Sequence, residues 1–272
     1  MADNRPIGVF DSGVGGVTVW AQIAARLPAE ATVYLADGAH CPYGPRPPAE
    51  VIALSTGITR FLLAQNCKMV VVACNTASAA ALLSLRSRFA VPVVGMEPAV
   101  KPAALATQSG HIGILATHGT LNGSLFNNTS RAYAANVTIH AQTAHGLVEL
   151  VESGKASGAR AETLLRQYLE PMLAAGVDQL VLGCTHYPFL IPVIQTIVNG
   201  RAAIHNPAEA VARQVSRLLA RHALAAAPEA GAEHHFFSTG NPRRLKRLLV
   251  ELGRPAAVVA PAVWRAGRLD EG

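Results

Sequence analysis

Two short stretches of the chain repeat one design: residues 69–76 read MVVVACNT and residues 179–186 read QLVLGCTH. Each is a continuous apolar run that ends in a cysteine, followed at once by small polar residues. A run without alternation is buried on both faces, which is the pattern of a strand inside a parallel sheet. In open α/β sheets, ligands gather beyond the carboxyl ends of such strands. The duplication extends to IGVFDSGVGG at 7–16, echoed by IGILATHGTL at 112–121. The chain therefore reads as two related lobes, each bringing one cysteine, Cys74 or Cys184, to a shared cleft.

Further strand-like runs fall near 32–36, 91–95, 137–141 and 202–205, with helical patterns near 16–27, 48–66, 76–89, 146–154 and 161–175. Such alternation predicts an α/β protein whose mostly parallel sheets are flanked by helices. Gly154 and Gly176 stand where helices are expected to end. Residues 223–233 are expected to form a flexible loop, and the tail from 267 onward to fray.

With 50% of its 272 residues hydrophobic and 15% charged, the chain can bury a large core. No apolar run reaches the roughly 18 residues of a membrane span. The opening MADNRPIGVF lacks the apolar segment of a secretory signal, and four cysteines in so long a chain make no disulfide framework. A reduced, cytoplasmic protein is expected. The net charge of +6 raises the question of nucleic acid, so the placement of the charges matters. In the densest basic cluster, Leu245, Leu248, Leu249 and Leu252 recur at helical spacing with Arg243, Arg244, Lys246 and Arg247 between them. That is an amphipathic surface helix with a solvated Arg-rich face, and nucleic-acid binding is not expected.

Four segments carry polar residues just after a strand. Asp11 and Ser12 precede a glycine turn ending in Gly15 and Gly16, which leaves backbone N–H groups open at a helix start. Its G-x-G-G pattern is not the dinucleotide fingerprint, and Asp37 lies only loosely where that fingerprint wants an acid. The same turn also suits simple packing, with Asp11 as a helix cap. The second segment, DGAHCPYG at 37–44, offers the Tyr43 hydroxyl and the Gly44 N–H, or is merely a turn. Cys41 and Cys67 are read as incidental. The third and fourth segments are the cysteine turns, where both thiols are expected to open helices, a setting that favours thiolate. Asn75, Thr76 and Thr185 supply short hydrogen-bonding side chains beside them, and His186 follows two residues after Cys184.

The set IGVFDSGVGG, CPYG, VVVACNTASAAAL, GMEPAVKPA, GILATHGT, GLVELVESG and LVLGCTHYPFL resembles, in order and over most of the chain, the cofactor-independent aspartate/glutamate racemases, glutamate racemase in particular. The resemblance implies two pseudo-symmetric α/β lobes, 1–97 with 207–272 and 98–206, with the active site in the cleft between them. It implies that Cys74 is the base toward D-glutamate and Cys184 the base toward L-glutamate. Asp11 would assist Cys74, and His186 with Glu152 would assist Cys184. Ser12, Tyr43, Gly44, Asn75, Thr76, Thr117 and Thr185 match substrate-holding positions, together with Asp11 and His186. The substrate would be a small molecule, glutamate, with no cofactor and no metal, in a homodimer that supplies D-glutamate for peptidoglycan. His145 and Asn206 depart from the family pattern, which often has Cys-Pro and an acidic residue there.

The chemistry agrees with this reading. Inversion at the weakly acidic Cα of an amino acid requires removal of a proton from one face and delivery on the other, and two thiols can do both. No lysine offers itself as the anchor of a pyridoxal cofactor: Lys68 precedes a strand, Lys101 lies near the lobe junction, Lys155 follows a glycine and Lys246 is on the surface helix. Three alternatives stand beside it. An aspartate racemase of the same family is the nearest. A cysteine hydrolase with His186 as base would need only one thiol. A zinc protein using Cys74, Cys184, His186 and Asp11 would lack the usual Cys-x-x-Cys spacing.

Overall fold

The computed structural model describes residues 2–134 and 136–272. Contacts between Cα atoms divide the chain into two compact units, Met1–Met96 with Ala208–Gly272, and Glu97–Pro207.

The first unit begins with β1 (Ile7–Asp11), α1 (Val17–Arg26), β2 (Thr32–Ala36), α2 (Pro48–Ala64), β3 (Met69–Val72), α3 (Asn75–Arg88) and β4 (Val93–Gly95). The second contains α4 (Val100–Ala106), β5 (His111–Ala116), α5 (His118–Leu121), α6 (Ser124–Tyr133), β6 (Thr138–Thr143), α7 (Leu147–Glu152), α8 (Ala159–Ala174), β7 (Gln179–Gly183), a 3-10 turn (Tyr187–Leu190), α9 (Ile191–Val198) and β8 (Ala203–His205). The chain then returns to the first unit with α10 (Ala208–Arg221), β9 (His234–Ser238), α11 (Pro242–Glu251), β10 (Val259–Arg265) and β11 (Arg268–Glu271). Among the described residues no helix is long and apolar enough to cross a membrane.

The first sheet runs β11-β10-β9-β2-β1-β3-β4 and the second β6-β5-β7-β8. Every pairing is parallel except that of β10 with β11. The duplication read from the sequence is thus a duplication of topology, because β2-β1-β3-β4 and β6-β5-β7-β8 are the same order. Register carries it further. Ile7 pairs with Met69 in the first sheet and Ile112 with Gln179 in the second, the residues that open the repeated motifs.

All residues of β1, β2, β3 and β7 are buried, as a strand covered by helices on both faces must be. The edge strand β6, TIHAQT, has no buried residue and is correspondingly polar. The core of the second unit gathers Val100, Ala103, Ile112, Ile114, Ala116, Phe126 and Val181. Gly154 and Gly176 both take positive φ, +76° and +85°, just beyond α7 and α8, a conformation that costs glycine nothing.

Three expectations need correction. The tail after Gly267 is not frayed: β11 pairs antiparallel with β10, Leu269 opposite Trp264, and Leu269 is buried. The sequence RLDE alternates weakly, so its pairing partner was not visible locally. Helices α4, α6, α9 and α10 escaped the periodicity reading, α9 because Pro192 falls in its first turn, where a proline is tolerated. Strands β9 and β10 also went unread.

The N-terminal end of the first sheet is fastened by a buried ion pair, Lys68 Nζ to Glu30 Oε2 at 2.6 Å. Lys68 also donates to the Asp3 carbonyl, and Glu30 Oε1 accepts the Ala226 N–H at 2.8 Å. Lys68 is therefore spoken for structurally, at the opposite end of β3 from Cys74. Removing one member of such a pair strands a buried charge, which costs about 3–5 kcal/mol, whereas replacing both by apolar residues costs far less. Lys68→Met is expected to lower the midpoint of chemical denaturation far more than Lys68→Met combined with Glu30→Leu. Equal losses in the two proteins would show that the pair does not fasten the sheet.

Candidate active site

In the first unit three strand ends meet. The Asp11 carboxylate, fully buried at the end of β1, accepts the Ser12 N–H at 2.7 Å on Oδ1 and the Gly16 N–H at 2.6 Å on Oδ2. It thereby folds the glycine turn back over itself and caps the entry to α1. These bonds are the ones expected of Asp11 as a cap of the turn. Gly16 sits here because nothing larger fits: a Cβ would lie 2.6 Å from Asp11 Cβ and 2.8 Å from the Ala73 carbonyl oxygen.

Cys74 follows β3 as the N-cap of α3, and its Sγ accepts the Ala77 N–H at 3.4 Å. The thiol points to Ser12 Oγ at 3.6 Å and is only 5% exposed. The Ala77 N–H is one of the otherwise unpaired donors of the α3 start. Asn75, Thr76 and Ser12 are buried beside it. Among the described residues neither polar atom of the Asn75 amide has a hydrogen-bond partner.

Tyr43 is buried and donates its hydroxyl to Asp37 Oδ2 at 2.5 Å. Burial first, then the Asp37 charge, with Cys74 and Asp11 contributing, hold this phenol well above its ordinary pKa, so it stays a protonated donor to Asp37. Gly44 closes the same corner. Of the two cysteines read as incidental, Cys67 is buried, and burial pushes its thiol up to about 12. That keeps it inert.

In the second unit Cys184 follows β7 and is 7% exposed. It does not open an α-helix as expected. Tyr187 N–H bonds to the Cys184 carbonyl and Phe189 N–H to the His186 carbonyl, both three residues back, and a 3-10 turn results. Proline contributes: Pro188 and Pro192 have no N–H to donate to residues 184 and 188, so two of the four-residue bonds that an α-helix would make here are withheld. Cys184 Sγ lies 3.8 Å from His186 Nδ1, and His186 Nε2 lies 2.8 Å from Glu152 Oε1. All three are buried, and Glu152 is delivered by the last turn of α7. A carboxylate on one ring nitrogen fixes the imidazole with its other nitrogen toward the thiol, an arrangement suited to moving a proton.

Thr185 is buried next to the thiol. Thr117 N-caps α5, its Oγ1 accepting the Thr120 N–H at 3.3 Å. Because Ala116 pairs with Gly183, Thr117 stands one step beyond β5 as Cys184 stands one step beyond β7. Ser12 stands two residues beyond Phe10 and Cys74 two beyond Val72, the pair that ends the β1–β3 register. Tyr187 donates to the Ala144 carbonyl at 3.2 Å, tying the turn to the segment before α7. Sequence reasoning missed Asp37 as an organising group, because its partners Thr239, just after β9, and Trp264, in β10, lie more than 200 residues away.

A family profile described as Asp/Glu/Hydantoin racemase matches residues 7–233. A curated relative, glutamate racemase of Pseudomonas paraeruginosa, is 45% identical over 249 residues, covering 91% of this chain and 94% of its own. Among solved structures, a glutamate racemase isoform from Bacillus anthracis superposes with a TM-score of 0.85 at 30% identity, covering 98% of this chain and 99% of its own. Glutamate racemase of Escherichia coli, in complex with L-glutamate and the activator UDP-MurNAc-Ala, gives 0.82 at 30% identity, covering 98% and 99%.

Gly16→Ala is expected to destabilise the first unit by about 1–3 kcal/mol, the usual range for forcing a methyl into a filled space. Gly231→Ala, where an added Cβ meets nothing within 4 Å, is the control and should stay within about 0.5 kcal/mol. Equal midpoints for the two variants on chemical denaturation would contradict the close approach at Gly16.

Proposed function

The chain belongs to the Asp/Glu/Hydantoin racemase family, and from that membership and its paired cysteine turns we infer that it interconverts L- and D-glutamate by proton transfer at Cα, with Cys74 and Cys184 as acid and base. The observation that carries the reading is the repeated β-strand pair that ends in a buried thiol in each unit, at matched register. The substrate is assigned from relatives named glutamate racemase that span nearly the whole chain.

From L-glutamate, the Cys184 thiolate removes the Cα proton and becomes a thiol. The Cys74 thiol delivers its proton to the other face of the carbanion and becomes a thiolate. From D-glutamate the roles reverse. Each turnover therefore leaves the pair in the protonation state that the opposite direction needs. His186, held by Glu152, supports the charge on Cys184, and Asp11 does so for the Cys74 turn. The buried Asn75 amide, without a partner among the described residues, is offered to the substrate; leaving such a group unpaired costs about 1–3 kcal/mol, which a carboxylate or ammonium would recover. Ser12, Thr76, Thr117, Thr185, Tyr43 and Gly44 complete the set that holds glutamate. Fixed donors at the strand ends stabilise the negative charge that spreads onto the α-carboxylate as the proton leaves.

No step needs a metal or an organic cofactor. A homodimer, a cytoplasmic setting and the supply of D-glutamate for peptidoglycan belong to the same proposal.

Cys74→Ala and Cys184→Ala are each expected to reduce racemisation by about 100- to 10,000-fold in a chiral chromatographic assay, the usual cost of losing a general acid or base. Either variant retaining most activity in both directions would defeat the two-thiol reading. Asp11→Asn is expected to lower kcat from D-glutamate more than His186→Asn does, and the reverse from L-glutamate. Only kcat can carry this asymmetry, because the equilibrium constant ties the two kcat/KM values together. Equal effects in both directions would assign these two groups a shared structural role.

A further inference from the structure

We propose that Trp264, in the C-terminal hairpin, is a positioning residue that acts through Asp37 to hold Tyr43 and the Tyr43-Gly44 corner in place beside the Cys74 turn. Asp37 is fully buried at the end of β2, next to Asp11, whose carbonyl accepts the Asp37 N–H at 2.9 Å. Its two oxygens divide their donors. Oδ1 accepts Thr239 Oγ1 at 2.7 Å and Trp264 Nε1 at 2.9 Å, while Oδ2 accepts the Tyr43 hydroxyl at 2.5 Å. His40 Nδ1 lies 3.0–3.1 Å from both.

With Oδ1 occupied by the two C-terminal donors, the carboxylate cannot turn about its own axis, and Tyr43 finds one fixed acceptor. A carboxylate buried this deeply depends on its donors, because each lost hydrogen bond leaves charge unsolvated. The indole is itself fixed. It lies against Gly57 of α2, where an added Cβ would stand 2.6 Å from the ring, and edge-on to His40 with ring centroids 5.5 Å apart. Trp264 therefore couples the hairpin, α2 and the 37–44 loop to a corner that the proposed function assigns to glutamate binding, and the inference rests on that assignment. On this proposal Trp264 acts on the corner through its bond to Asp37.

The test is a double-mutant cycle of Trp264→Phe, which keeps a ring but removes the donor, with Tyr43→Phe, following kcat and KM for both enantiomers and thermal melting for fold. Trp264→Phe is expected to raise KM about tenfold with kcat within about threefold, the signature of lost binding without lost chemistry. In the Tyr43→Phe background it should add nothing further. Multiplicative losses in the double variant would place the action of Trp264 elsewhere and overturn the proposal, since independent sites add in free energy. Thr239→Val, which removes the other donor to Oδ1, repeats the cycle should Trp264→Phe melt early, with the same expectation and the same overturning result. The wild-type assay separates the two levels: no conversion of glutamate overturns the functional reading and this one with it, whereas normal wild-type conversion with multiplicative losses overturns this one alone.

Discussion

In each unit two parallel strands are locked side by side in one register, β1 with β3 and β5 with β7, and the placement of Ser12, Cys74, Thr117 and Cys184 follows from that pairing. Side chains alternate along a strand, so a slip of one residue would turn the thiol and the hydroxyl that follow the strand ends to the wrong face. The pairing is protected by burial, because all positions of β1, β3 and β7 are covered and a slipped register would have to rebuild the apolar contacts of both faces at once. Strand ends are then reliable points from which to aim a side chain, while the turns beyond them remain free to differ.

Differ they do. Cys74 caps a true α-helix and takes an N–H from its first turn, whereas Cys184 precedes a 3-10 turn and has an imidazole beside it. One thiol is served by backbone dipoles and the buried Asp11 turn, the other by a histidine and a buried carboxylate. A racemase needs two acids and bases of opposite hand, not two identical ones, and the substrate it binds is chiral. A duplicated scaffold with separately tuned ends meets that need. Buried carboxylates do much of the tuning: Asp11 folds the glycine turn, Glu152 orients His186, and Asp37 gathers donors from the loop and the C-terminal strands.

Much of this could be read from the sequence, for physical reasons that can be named. The apolar runs of β1, β3, β5 and β7, short and bounded by turn residues, fit a covered parallel strand, and the motif repeat already contains the shared register. The cysteines, Asn75, Thr185 and His186 were legible because they sit within three residues of a strand end. The local rule failed where the partner is distant or where proline intervenes. RLDE became a strand only by pairing with β10, and the turn after Cys184 tightened where Pro188 and Pro192 withhold their N–H groups. Asp37 was noticed as an acid near a strand end, yet its partners, Thr239 just after β9 and Trp264 in β10, depend on strands whose place in the sheet no local pattern announces.

The central claim is that one thiol takes the proton from one face of Cα while the other, already equilibrated with solvent, supplies the opposite face. Conversion of L-glutamate in heavy water, stopped early and resolved by chiral separation with mass spectrometry, tests it directly. The account predicts that the D-glutamate formed carries deuterium at Cα while unreacted L-glutamate stays almost wholly protium. D-glutamate retaining most of its protium would mean that a single group returns the proton it removed, and would contradict opposed roles for Cys74 and Cys184.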